Sequence, residues 1–204
     1  MAATQNPPPK TVPSKVSVRK IKTPALEIDV TAEVIADGTT NDTGTQGNTS
    51  FTPEGAVGSG QSFFGTPGFA FVTKNGQALI TKINGPVQIK GNVKIQTVYG
   101  PNADATQTSG YGRGTTPDDE KAGNTTLGFH ESCHRSDYLN YLRTKPFPTF
   151  TGRVGMTRVA YEKAVADFQK AIEKYFADMD KDSLQRTDEV GYKKSTYDVK
   201  GPRP

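Results

Sequence analysis

Leu127-Gly128-Phe129-His130-Glu131-Ser132-Cys133-His134 spells HExxH and contains both histidines of the 204-residue chain. On a helix, positions four apart share a face, so His130 and His134 can aim a ring nitrogen each at one zinc ion. Glu131 then lies within reach of a water beside that ion. The stretch predicts a helix whose apolar stripe continues from Leu127 through the two histidines to Tyr138 and Tyr141, at steps of three and four residues. Asn124 or Thr125 is expected to cap it, and Lys145-Pro146 to end it after Tyr141 or Leu142.

Around this helix the chain reads as α+β. Leu26 to Val34 alternates apolar and polar residues, the pattern of a half-buried strand. Further strands are expected at Phe63–Thr73 (broken at Gly65–Gly68), Gln77–Ile83 and Val87–Tyr99, the last with a turn at Lys90-Gly91-Asn92. Asn75-Gly76 marks a type I′ hairpin. A second long helix is expected from about Thr157 to Asp180, with Val159, Val165, Phe168, Ile172 and Phe176 on its apolar face.

Residues 1–24 are rich in Pro and Lys and read as a disordered, partly polyproline-like tail that could dock to a partner. Residues 25–204 then form one domain, and 37–61, built of Gly, Thr, Asn and Ser, read as a long surface loop. The polar stretch 102–121, with glycines around Ser109–Gly114, has no strand leading into it and no following Lys-Ser/Thr, so a phosphate cradle fails and a flap beside the site is expected.

Composition bounds the function. Net charge is +4, but the basic residues are dispersed, which argues against nucleic acid as a partner. The one cysteine, Cys133, excludes an internal disulfide and is expected to face the packed side of its helix as a small filler. No apolar run is long enough for a membrane span and no secretory h-region stands at the N-terminus.

A catalytic zinc takes three protein ligands, and no third histidine exists, so an oxygen must complete the set. HExxH resembles the signature of zinc metallopeptidases, the zincins. Arg186-Thr187-Asp188-Glu189-Val190-Gly191-Tyr192 is similar to the aspzincin motif GTxDxxYG, with Thr187 and Tyr192 in the Thr and Tyr places and Glu189 in place of the Asp. By that resemblance Glu189 is the expected third ligand, with Asp188 and then Asp198 as alternatives, and Tyr192 is an expected oxyanion donor. Strands, an HExxH helix, a long amphipathic helix and Tyr197-Asp198 also resemble uncharacterised bacterial secreted zinc-protease families over roughly residues 77–198.

The resemblance implies a zincin-like fold, a small antiparallel sheet packed on the HExxH helix and the second long helix. It also implies a zinc-dependent metalloendopeptidase with Glu131 as general base, a protein or peptide substrate laid along the Val93–Tyr99 edge, and a secreted or injected effector role. Export without a recognisable signal peptide is the expected route, with a cytoplasmic location left open. The competing expectation is a non-catalytic assembly protein of a secreted particle that carries a vestigial HExxH.

Overall fold

The computed structural model describes residues 5–58 and 61–191. Its strands, in chain order, are β1 (Ser14–Lys22), β2 (Leu26–Val34), β3 (Gly38–Thr39), β4 (Gly47–Gly55), β5 (Phe64–Gly65), β6 (Gly68–Lys74), β7 (Gln77–Asn84) and β8 (Val87–Tyr99). Three helices follow, α1 (Pro117–Ala122), α2 (Leu127–Thr144) and α3 (Arg158–Ser183), and α3 runs on into a π turn, Leu184–Asp188. The architecture is a curled sheet packed against two long helices, in the α+β class expected. No helix of the described residues is long and apolar enough to cross a membrane.

The main sheet is mixed, where an antiparallel one was expected. β8 pairs parallel with β2 and β3, and antiparallel with β4 and β5. Tyr99 pairs with both Thr39 and Gly47, so β2/β3 and β4/β5 flank β8 on opposite sides. β8 is therefore interior and offers no edge to a substrate. Among the described residues the edges are β1 and β3 on one side and β4 with β5 on the other.

Three stretches differ from the sequence reading. Ser14–Lys22 is a strand antiparallel to β2, with Val16 and Val18 packed on the core and its lysines exposed on a sheet edge, a usual guard against edge pairing. The Pro and Lys content of the segment masks that alternation. Within 37–61, β4 needs only Thr49 and Phe51 turned inward, so a polar composition still makes a strand. Lys90-Gly91-Asn92 lies inside β8 and makes no turn. A Cβ on Gly91 would stand 2.4 Å from the Glu54 carbonyl and 2.5 Å from the Phe63 ring, so this glycine permits close packing.

The β6–β7 hairpin forms as expected, with Asn75 at φ 50° and Gly76 at φ 76°. The core gathers Ile28, Val30, Ala32 and Val34 of β2 and Ile89, Val93 and Ile95 of β8 with Tyr138, Tyr141 and Leu142 of α2 and Phe168, Ile172, Tyr175 and Met179 of α3. The buried face of α3 is rotated from the expected one. It runs Tyr161, Ala164, Phe168, Ile172, Tyr175, Met179, Ser183, while Val159 is 76% exposed.

α2 is fixed at both ends. Thr126, not Asn124 or Thr125, caps it by accepting from the Phe129 amide at 3.1 Å. At the other end the Arg19 guanidinium, reaching from β1, donates to the carbonyls of Leu142, Arg143 and Lys145 at 3.4, 2.8 and 3.1 Å. A cation on the last carbonyls complements the helix dipole. The strand hidden in the basic N-terminal segment thus holds the helix that carries the histidines.

Candidate metal centre

His130, Glu131, His134, Tyr138 and Tyr141 are all buried on α2, as its periodicity implies. His130 is 0% and Glu131 1% exposed. Leaving charged or polar groups this far from water is costly unless each has a partner.

The third group arrives from the end of α3. Asp188 Oδ1 lies 3.2 Å from His130 Nε2 and 2.9 Å from His134 Nε2. These three side chains form the one group of metal-binding type among the described residues. The expectation of Glu189 is replaced: Glu189 follows the π turn, is exposed, and is not in the group. Its neighbour Asp188 takes the place. The wide turn explains the shift, because the Glu189 amide closes onto the Leu184 carbonyl and one residue more fits into the turn than in an α-helix. Tyr192, the expected oxyanion donor, lies outside the described residues, as do Tyr197 and Asp198.

Each histidine is held from behind. The Arg113 carbonyl lies 3.0 Å from His130 Nδ1 and, being acceptor only, requires the hydrogen on that nitrogen. In the neutral ring Nε2 then carries the lone pair. His134 Nδ1 lies 2.8 Å from the hydroxyl of Ser183, which is fully buried. Thr187, also fully buried, donates to Asp137 Oδ2 at 2.9 Å, and its carbonyl accepts from the Arg113 amide at 2.7 Å. The π turn is thereby tied both to α2 and to the glycine loop.

That loop covers the site. Tyr111 packs edge-on to the His130 ring at 4.9 Å between centroids, and a Cβ on Gly112 would meet the Thr187 carbonyl at 2.2 Å. Glu131 points toward β4, where a Cβ on Gly47 would stand 2.6 Å from Glu131 Oε1. Behind it, the hydroxyls of Thr49 and Thr97 share a 2.6 Å hydrogen bond, and Arg135 donates to Thr97.

The arrangement fits a metal ion. His130 Nε2 and Glu131 Oε2 are buried without a hydrogen-bond partner, and an Asp188 oxygen stands 3.2 Å from that Nε2. Ligands about 2.05 Å from a tetrahedral zinc stand about 3.3 Å from one another, near the two separations observed here. Electrostatics agree. Burial opposes ionisation of Asp188, but the two imidazoles outweigh it and hold the carboxyl at about 2. Burial likewise opposes charge on His130, and Asp188, Glu131 and the Arg113 carbonyl together raise its pKa.

Family models, curated proteins and solved structures include no match to this chain.

Cys133 is half-buried, where a place on the packed side was expected, and burial pushes its thiol up to about 11, so it is an inert filler at neutral pH. Arg113, Asp119 and Ser183 were not singled out in the sequence, although signals exist. Thr116-Pro117-Asp118-Asp119-Glu120 carries an N-cap threonine, a proline at the first helical position and early acids, the signature of a helix start. Met179, Ser183 and Thr187 extend the buried period of α3 past its expected end.

Proposed function

We propose that the protein is a zinc-dependent metallopeptidase of zincin type, with His130, His134 and Asp188 as ligands and Glu131 as general base. The observation that carries this reading is the convergence of two Nε2 atoms and one carboxylate oxygen, beside a buried glutamate whose Oε2 has no hydrogen bond. Zinc held there supplies a Lewis acid that makes water acidic near neutrality and polarises a peptide carbonyl. Glu131 Oε2, buried and without a hydrogen bond, would accept a proton from an attacking water and return it to a leaving amine. The Arg113 carbonyl and the Ser183 hydroxyl keep both imidazoles turned with Nε2 inward. Gly47 leaves the carboxylate of Glu131 the space it occupies.

The substrate on this reading is a protein or peptide, laid as an added strand along β4. β4 is an edge, paired among the described residues only with β8, and it begins against Glu131. Secretion and an effector role belong to the same proposal.

Zinc stoichiometry and hydrolysis of an unstructured protein test it. One zinc per chain is expected, with turnover lost by several orders of magnitude in Glu131→Gln while zinc is retained. No zinc on an intact fold would instead favour the assembly-protein reading.

A further inference from the structure

Asp119 is 4% exposed, on a six-residue helix within a stretch of otherwise polar loop. Its carboxylate makes a bidentate pair with Arg113, Oδ2 accepting from Nε at 2.9 Å and Oδ1 from Nη2 at 2.8 Å. Oδ2 also accepts from the Gly114 amide at 2.9 Å. The Gly114 N–H and the Arg113 carbonyl belong to one peptide unit, and that carbonyl is the partner of His130 Nδ1. Carboxylate, peptide and imidazole thus form a continuous chain from Asp119 to the Nε2 that faces Asp188.

We propose that Asp119 is a positioning residue that orients and polarises His130 through the Arg113–Gly114 peptide. A carboxylate on the N–H increases the negative charge on the carbonyl oxygen, which strengthens its hold on the Nδ1 hydrogen and makes Nε2 more basic. Histidine ligands commonly meet a carboxylate directly, and here a peptide stands between. Two features of the loop serve that arrangement. Gly114 sits at φ +96°, a conformation that side-chain-bearing residues rarely adopt, which turns its N–H to Asp119. The Arg113 guanidinium neutralises the buried Asp119, stacks over Phe129 at 5.3 Å, and leaves the Arg113 amide to bond Thr187 in the turn that presents Asp188. Only the consequence for metal affinity rests on the metallopeptidase reading.

The test uses the full chain. Its two histidines make the ring N–H signals unambiguous by NMR. The exchange is measured on the metal-free chain. The His130 Nδ1 hydrogen should be protected in the wild type and exchange at least about tenfold faster in Asp119→Ala, while that of His134, bonded to Ser183, stays unchanged. Should Asp119→Ala fail to fold, Asp119→Asn carries the test, because it keeps an acceptor for Gly114 and loses the charge. Zinc affinity by chelator competition should fall about 10- to 100-fold in the same variant. An unchanged His130 proton overturns the proposal, and so does an equal loss at both histidines, which marks general loosening. A wild-type chain with a protected His130 proton and no zinc binding refutes the metallopeptidase reading and leaves the relay standing.

Discussion

Thr187→Val removes one hydroxyl and keeps the shape of a fully buried side chain. The hydroxyl donates to Asp137 at 2.9 Å, where burial already raises the carboxyl's pKa. A hydrogen bond to a charged group is worth about 1.5 to 3 kcal/mol, and in a chain of this length each kcal/mol moves Tm by about 2 to 4 °C. The variant should therefore melt about 3 to 12 °C lower without metal. The same bond clamps the π turn to α2, so zinc affinity should fall as well, since Asp188 is the next residue. A double-mutant cycle with Asp137→Ala, followed by denaturant unfolding, isolates the pair. Its coupling should be close to the same 1.5 to 3 kcal/mol, dropping to about 0.5 to 1.5 when Asp137→Asn supplies a neutral acceptor. Coupling within about 0.3 kcal/mol of zero would refute the claim that this bond holds the turn.

Other substitutions and conditions test neighbouring steps. Gly47→Ala places a Cβ 2.6 Å from Glu131 Oε1, so the carboxylate must move; hydrolysis should fall about 100-fold with zinc content unchanged, and full activity would count against Glu131 acting where it sits. The raised His130 pKa means that protons compete with metal at a higher pH than at an ordinary imidazole, so zinc affinity should begin to decline above the pH at which an ordinary histidine site loses metal; a decline that starts only at or below that pH contradicts this. For the metal-free chain the same raised pKa contributes stability that is full below the unfolded value near 6.5 and is lost as pH rises through the folded one, so its Tm should be higher on the acid side.

Much of the site is local in sequence and was legible there. His130, Glu131 and His134 follow one helical period, and that period alone buries them on the face that continues to Tyr138 and Tyr141. Asp188 and Glu189 could not be separated on that basis, because the choice depends on a π turn that shifts the phase by one residue. No propensity in Leu184–Asp188 announces such a turn; it is set by tertiary bonds from Ser183 to His134 and from Thr187 to Asp137. The sheet was less legible for a similar reason. β1 and β4 are edge strands that bury few side chains each, so composition resembling a tail or a loop is compatible with pairing to β2 and β8. The parallel pairing of β2 with β8 joins segments far apart in the chain, beyond what any local pattern encodes.

The most direct test of the central claim is a crystal of the wild-type chain soaked in zinc and measured across the zinc absorption edge. The account predicts one anomalous peak within about 2.0 to 2.2 Å of His130 Nε2, His134 Nε2 and an oxygen of Asp188, with Glu189 outside the coordination sphere. A peak coordinated by Glu189 in place of Asp188, or no peak between the two histidines at saturating zinc, would contradict it.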